Sequence, residues 1–371
     1  MIIGLAGLGR VGLKSLRILR RYRVADEIIV FDRDPVKRDL IRDLDNVYFA
    51  RVDDVEDVLR DVYRLDLLMI SLPSREAYRL LTRVASKCID IVDVSYQQTD
   101  PYIFERYFTD CGKMYIPDAG YAPGYSNLLA GFAQSMLGSI DSLEIYVGGI
   151  PVRKIPPIGY TVTWSAEDLL EEYMRPARVV RDGRVVEADP LENTGSIEIR
   201  GLGVFEWFYS DGLRTMIRNI KARNMFEATL RWPDHIKAIK LLRDLGFLSR
   251  DKITVGREEI EIYRVVAEIL ERKLRIETED MAILLVRARG DDEKSFEELV
   301  VVRGDTRDSA TIRFTAIVFT STALLLLREK ERIETGVQPL EKLYQYKEYY
   351  EKLLIENQPD RDKILIHRSY S

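Results

Sequence analysis

Gly7-Leu8-Gly9-Arg10-Val11-Gly12 is the segment that most restricts the folds open to this protein. Met1-Ile2-Ile3-Gly4-Leu5 before it reads as a strand, and Val11 to Tyr22 after it as a helix, with Leu13, Leu16, Ile18 and Leu19 at apolar positions. The string G-x-G-x-x-G is weak alone; placed between a strand and a helix it is a dinucleotide-binding turn. Gly7 permits the tight turn, Gly9 lets a pyrophosphate approach with no Cβ in the way, and Gly12 lets the helix pack close to the strand. With Arg10 and Val11 completing the turn, an anion meets free N–H groups at the positive end of the helix dipole. The competing reading is a strand-to-helix connection that binds nothing.

Asp32 closes the second strand, 20 positions beyond Gly12, where an acidic residue binds the adenosine ribose hydroxyls. Its charge repels a 2′-phosphate and points to NAD; Arg33 beside it suits that phosphate and keeps NADP open. Leu72-Pro73-Ser74 ends the fourth strand and is expected to border the nicotinamide half of the cofactor.

Strand and helix signals alternate through the first third. Helices are expected over Pro35 to Leu44, Val55 to Tyr63 and Arg75 to Ser86, and strands over Glu27 to Phe31, Tyr48 to Arg51, Leu67 to Leu72 and Ile89 to Val94. This is the pattern of an α/β protein whose N-terminal domain, residues 1–124, is a Rossmann-type doubly wound parallel sheet. After the Gly/Pro loop Asp118 to Gly124 comes a helix from Ser126 to Leu137. Strands then follow at Ser142 to Gly148, Gly159 to Ser165, Ile197 to Gly201, Lys252 to Val255 and Met281 to Arg289. They indicate a second, mixed α/β substrate domain over residues 125–307, with an antiparallel component that offers a homodimer surface. Helices at Ala310 to Glu331 and Leu340 to Ile355 are expected to pack back on the first domain, and Asn357 to Ser371 to form a polar tail.

The 371 residues, 46% hydrophobic and 32% charged, describe a soluble globular protein. A formal charge of -5 with interspersed signs argues against a nucleic-acid partner. The apolar stretch Phe314 to Leu327 is too short for a bilayer and reads as a buried helix, so no membrane partner is expected. Two cysteines, Cys88 and Cys111, cannot make a disulfide framework or a cysteine-based zinc site, and suggest a reducing compartment. With no basic leader before the first strand, a cytoplasmic protein is expected, and no metal site is evident. Abundant Arg, Glu and Ile hint at a thermophile.

A series of later segments resembles the saccharopine dehydrogenase family, which includes lysine 6-dehydrogenase and carboxynorspermidine dehydrogenase. Asp118-Ala119-Gly120-Tyr121-Ala122-Pro123-Gly124-Tyr125-Ser126-Asn127 resembles its D-x-G-x-x-P-G-x-x-[ND] loop, and Gly148-Gly149-Ile150-Pro151 its G-G-[LI]-P strand end. Tyr160 to Ser165 and Glu172-Tyr173-Met174-Arg175-Pro176-Ala177 are similar to Y-x-x-[TS]-[FW]-S and E-Y-x-x-P-A. Glu206 to Thr215 resembles E-x-F-x-T-D-G-L-R-T, Thr229 to His235 resembles T-x-R-[YW]-P-G-H, and Gly336 to Pro339 resembles G-V-x-P. Asp234 stands where glycine is usual, which bears on the local backbone, and Ala119 where cysteine is frequent, which removes a thiol. The compact length is nearer the lysine 6-dehydrogenase-like members.

The resemblance implies NAD(P)-dependent oxidation of an amino acid at a carbon–nitrogen bond of its side chain, with L-lysine as the small-molecule substrate and a 6-semialdehyde that cyclises as product. Such chemistry needs a base for the ammonium proton and a cation for the α-carboxylate. Asp118 is the candidate for the amine, its alternative role being a helix cap, and His235 the candidate proton relay, its alternative a structural hydrogen bond. Arg214 and Arg231 are candidates for the carboxylate, against simple ion pairing; Tyr160, Ser165 and Thr229 are candidates to orient the substrate. Two rivals stand beside this reading: a saccharopine- or carboxynorspermidine-type dehydrogenase, and a non-catalytic dinucleotide sensor on the same fold.

Overall fold

The computed structural model describes residues 1–162 and 166–371. The protein divides into two compact units: Met1–Ser135, Arg218–Ile220 and Ile312–Arg361 form the first, and Met136–Ile217, Lys221–Thr311 and Asp362–Ser371 the second. The first break therefore falls near the end of a helix and not at residue 124, and the late helices do belong to the first unit.

In the first unit, β1 (Ile2–Ala6) leads through the glycine turn into α1 (Arg10–Tyr22), then β2 (Glu27–Asp32), β3 (Val47–Arg51), β4 (Leu67–Ile70), α2 (Ser74–Val84), β5 (Asp90–Asp93), α3 (Glu105–Asp110), β6 (Met114–Ile116) and α4 (Tyr125–Leu137). The strands form one parallel sheet in the order β6-β5-β4-β1-β2-β3. Because helices cover both faces of such a sheet, its strands are apolar runs; all four residues of β4 are buried. The helices expected after β2 and β3 are short 3-10 segments, Pro35–Leu40, Val55–Arg60 and Val62–Arg64. Asp34 and Asp54 cap the N-termini of the first two.

Cys88 and Cys111 are joined by a single disulfide, a pairing the sequence reading did not propose. They lie just before β5 and β6, whose parallel pairing brings these two entry points together.

The second unit contains β7 (Ile140–Pro151), α5 (Ala166–Met174), β8 (Ala177–Arg181), β9 (Arg184–Ala188), β10 (Thr194–Ile199), β11 (Gly203–Ser210) and α6 (Met216–Asn219), whose last two residues belong to the first unit. There follow β12 (Ala222–Arg231), α7 (His235–Asp244), β13 (Lys252–Val255), β14 (Glu258–Glu261), α8 (Ile262–Leu274), β15 (Asp280–Arg289) and β16 (Ser295–Arg303). Among the described residues its main sheet runs β10-β11-β12-β7-β15-β16, mixed in sense, with β12 and β7 parallel and the other neighbours antiparallel. Phe205, Phe208, Leu230 and Ile283 pack at its core. The strand expected over Gly159 to Ser165 is absent at residues 160–162, which carry no regular structure.

The backbone then returns to the first unit through α9 (Ala310–Glu329), β17 (Gly336–Val337), which adds to the free side of β6, and α10 (Lys347–Glu356). The helix from Ala310 to Arg332 is long and apolar enough to cross a membrane, yet 78% of its apolar window is buried inside the protein. Ser15 on α1 bonds the Ala316 carbonyl, and Phe314 packs on Tyr121 and Tyr125. The final segment is no tail: β18 (Ile364–Tyr370) pairs antiparallel with β16, and His367 lies opposite Leu299.

Candidate active site

The dinucleotide half of the site lies at the carboxyl end of β1. Gly7 has φ +98, and a Cβ there would sit 2.2 Å from the Ser71 carbonyl oxygen. At Gly12 a Cβ would lie 2.1 Å from the Gly7 oxygen, whereas at Gly9 it meets nothing within 4 Å. Gly9 is also the N-cap of α1, has no side-chain capping bond, and no acidic residue follows in the first turn. The helix therefore begins without a side-chain cap and faces open space at Gly9, where its dipole is positive, and this cradle fits a pyrophosphate. Arg10 is exposed at the turn and Val11 half-buried behind it.

Asp32 is buried and ties the turn down: its Oδ2 accepts the Leu8 N–H at 2.7 Å and Lys37 Nζ at 2.8 Å, and its Oδ1 accepts the Asp34 N–H at 3.0 Å. Burial pushes its carboxyl up, but Lys37 and the two backbone donors outweigh that and hold it below the usual value, so it stays ionised. Arg33 is exposed beside it, and Lys37 is a cation at this position that the sequence pattern did not reveal. The Leu72 N–H bonds Ser95 Oγ at 3.2 Å, which ties the end of β4 to the loop after β5; Pro73 is exposed at the start of α2.

Asp118 follows β6, is 3% exposed, and adopts a left-handed backbone with φ 52. This conformation is uncommon away from glycine and often marks functional loops. Asp93, at the same edge on β5, is not among the residues expected from the sequence. It is fully buried and accepts the Ser95 N–H at 2.7 Å, an amide N–H of Gln97, and the Tyr115 hydroxyl at 3.3 Å. Burial, with the nearby Asp118 charge adding to it, pushes the Asp93 carboxyl up to about 7 against the pull of Ser95 and Gln97. Its signal was available: an acidic residue closes the apolar run Ile91-Val92-Asp93, just as Asp32 closes β2.

The second unit gathers Tyr160, Arg231 and His235 but turns them inward. Arg231 is 2% exposed; its Nη2 bonds Glu172 at 2.7 Å, its Nη1 the Leu230 carbonyl at 3.0 Å, and its guanidinium lies 4.4 Å from the Tyr160 ring centroid. The guanidinium is thus ion-paired within the protein, while its buried Nε has no hydrogen-bond partner among the described residues. His235 is completely buried, with Nδ1 2.8 Å from the Ile158 carbonyl and Nε2 2.8 Å from the Tyr173 hydroxyl. A carbonyl only accepts, so Nδ1 carries the proton and the Tyr173 hydroxyl donates to Nε2. Both nitrogens are bonded within the protein, the structural arrangement weighed against a proton relay for His235. Burial and the Arg231 charge push its pKa down to about 3.

That shift has a measurable consequence. The folded protein keeps His235 neutral while the unfolded one protonates below its ordinary 6.5, so the contribution of His235 to stability is present above 6.5 and lost progressively toward about 3. Melting temperature is expected to drop between pH 6.5 and about 4.5, above the carboxylate range, in the wild type and much less in His235→Asn. Parallel pH profiles for the two proteins would show that the ring is not the group responsible.

Thr229 is buried on β12 between Phe208 and Val147 in the sheet register. Arg214 is 6% exposed in a left-handed turn after β11, with φ 50. Nearby in sequence, Asp211 is held bidentately by Arg178 at 2.8 and 2.9 Å. A Cβ on Gly212 would sit 1.6 Å from Glu227 Oε1, so the glycine makes room for a buried carboxylate that the sequence motifs did not single out. Asp234 adopts φ 71, the left-handed conformation a glycine would supply, and pairs with Lys154 at 2.6 Å. Ser165 lies outside the described residues.

The family model of the saccharopine dehydrogenase C-terminal domain matches residues 120–357. The chain belongs to the saccharopine dehydrogenase family. Mitochondrial alpha-aminoadipic semialdehyde synthase of Rattus norvegicus is 27% identical over 226 residues, covering 55% of this chain and 24% of that protein. Saccharopine dehydrogenase [NADP(+), L-glutamate-forming] of Pyricularia oryzae is 23% identical over 212 residues, 54% of this chain and 47% of its own. These matches thus span less than half the length of either relative. Apo saccharopine dehydrogenase (L-Glu forming) of Saccharomyces cerevisiae shares the fold, with a TM-score of 0.77 at 14% identity over 100% of this chain and 99% of that one.

Proposed function

We propose that this saccharopine dehydrogenase family member is a nicotinamide-dependent amino-acid dehydrogenase that oxidises the side-chain amine of L-lysine to the 6-semialdehyde, which cyclises. A bound nicotinamide supplies the hydride acceptor. Asp118 takes the proton from the substrate ammonium, leaving the neutral amine whose C–H bond can be oxidised to the imine; water then hydrolyses the imine. Arg214 is assigned to the α-carboxylate. Asp32, ionised and buried beside the glycine turn, favours NAD over NADP, and Arg33 and Lys37 are the groups that would soften this preference.

One observation carries the choice of lysine. A saccharopine-type substrate brings more carboxylates than lysine and needs more cationic anchors, whereas Arg231 and Arg178 are each already matched by an internal carboxylate, Glu172 and Asp211. The second reading, a saccharopine-type dehydrogenase, is favoured by the names of the relatives. A spectrophotometric screen of L-lysine and saccharopine with NAD and with NADP separates them: lysine-dependent NADH formation is expected, and turnover of saccharopine alone would overturn the substrate. Tight NADH binding without turnover of any amine would identify the non-catalytic alternative.

A further inference from the structure

Asp93 has no part in the proposed reaction, yet it lies at the sheet edge that carries Asp118 and Leu72. The strands on either side of β5 both send groups toward it. From β4, the Leu72 N–H bonds Ser95 Oγ at 3.2 Å, and the Ser95 hydroxyl in turn bonds the Asp93 carboxylate. From β6, the Tyr115 hydroxyl donates to Oδ2, and the loop beyond it returns the Ala119 N–H to the Asp93 carbonyl at 2.8 Å. From its own loop come the Ser95 N–H and the Gln97 amide. A neutral amide could accept from some of these donors but would not carry the charge, and a fully buried carboxylate is costly unless held this way. The titratable groups facing it are Tyr115 on β6 and Asp118 on the following loop; β4 faces it through the Leu72 amide.

We propose that Asp93 is a positioning residue of this site, acting through Ser95 on the Leu72 edge of the cofactor crevice and through Ala119 and its own negative field on Asp118. The proposal rests on the dehydrogenase reading for its second half only. Its first half needs nothing but cofactor binding.

Two measurements on Asp93→Ala and Asp93→Asn test it, with melting curves to show that each variant is folded. NADH titration by fluorescence requires no substrate. Asp93→Ala loses the acceptor for Ser95, and its NADH affinity is expected to fall about five- to tenfold, the loss of roughly one charge-assisted hydrogen bond. Asp93→Asn keeps an acceptor and is expected to recover most of that affinity. An unchanged affinity in Asp93→Ala overturns the proposal whatever the substrate proves to be. In turnover, Asp93→Asn removes the charge beside Asp118. The wild-type kcat is expected to rise through an inflection near pH 7 that Asp93→Asn lacks, with kcat lower by about tenfold and the amine KM within about twofold. Coincident pH profiles in an active enzyme would remove Asp93 from the reaction while leaving the dehydrogenase reading intact.

Discussion

Gly12→Ala is expected to weaken NADH binding by about 5- to 150-fold, without unfolding the second unit. The added Cβ would lie 2.1 Å from the Gly7 carbonyl oxygen and 3.1 Å from its carbon. Both are backbone atoms of the turn itself, so rotation of a side chain brings no relief. Relief requires α1 to slide away from β1, and that movement opens the cradle of N–H groups on which the pyrophosphate depends. Overpacking in a core usually costs about 1–3 kcal/mol, which is about 5- to 150-fold in affinity when the strain is relieved only in the unbound arrangement. Gly9→Ala is the informative companion, because its Cβ meets nothing within 4 Å. It should melt like the wild type and still bind NADH poorly, since the methyl would occupy the approach of the ligand. Fluorescence titration with a melting curve for each variant checks both. Wild-type affinity in Gly12→Ala would mean that the dinucleotide does not sit on this turn.

The sequence was most legible where one physical cause acts alone. The parallel strands of the first unit are short apolar runs bounded by turn residues, so Ile2–Ala6, Val47–Arg51 and their neighbours could be read almost to the residue. Runs of helical spacing were overextended: Pro35 to Leu44 has that spacing, but the 3-10 segment that Asp34 caps at its N-terminus stops at Leu40. The strand Ile364–Tyr370 alternates half-buried and exposed residues and carries Arg368, paired with the buried Glu298; without that partner the segment reads as polar. The site followed the same rule. Glycines declare themselves through backbone geometry, and Asp32 through its place at a strand end. The surroundings of Arg231 and His235 could not be read from the sequence because their partners, Glu172, Tyr173 and the Ile158 carbonyl, are distant along it. Asp93 was missed because its donors come from the loop after it and from β6.

Asp118→Asn is expected to lower kcat for the amine substrate by about 10²- to 10⁴-fold, the range over which a positioned general base contributes. The amide is nearly isosteric and can keep the local hydrogen bonds of a residue that is 3% exposed, but it cannot accept the ammonium proton. The loss should therefore fall on kcat, with NADH affinity held within about twofold of the wild type, because the glycine turn and Asp32 bind the dinucleotide without it. A helix-capping role predicts a different result. The α4 helix begins at Tyr125, and the Gly124 N–H already bonds Asn127 Oδ1 at 3.0 Å, so the loop has a side-chain acceptor of its own. If Asp118 served only that loop, Asp118→Asn would keep kcat and Asp118→Ala would lose stability. Raising the pH offers a further discrimination. A substrate that arrives already as the free amine no longer needs the base, so the defect of Asp118→Asn should shrink as pH approaches the ammonium pKa of a lysine side chain, about 10.4. Single-turnover measurements across that range would read the convergence directly. A constant ratio between wild type and variant at every pH would remove Asp118 as the proton acceptor and leave it a role in binding alone.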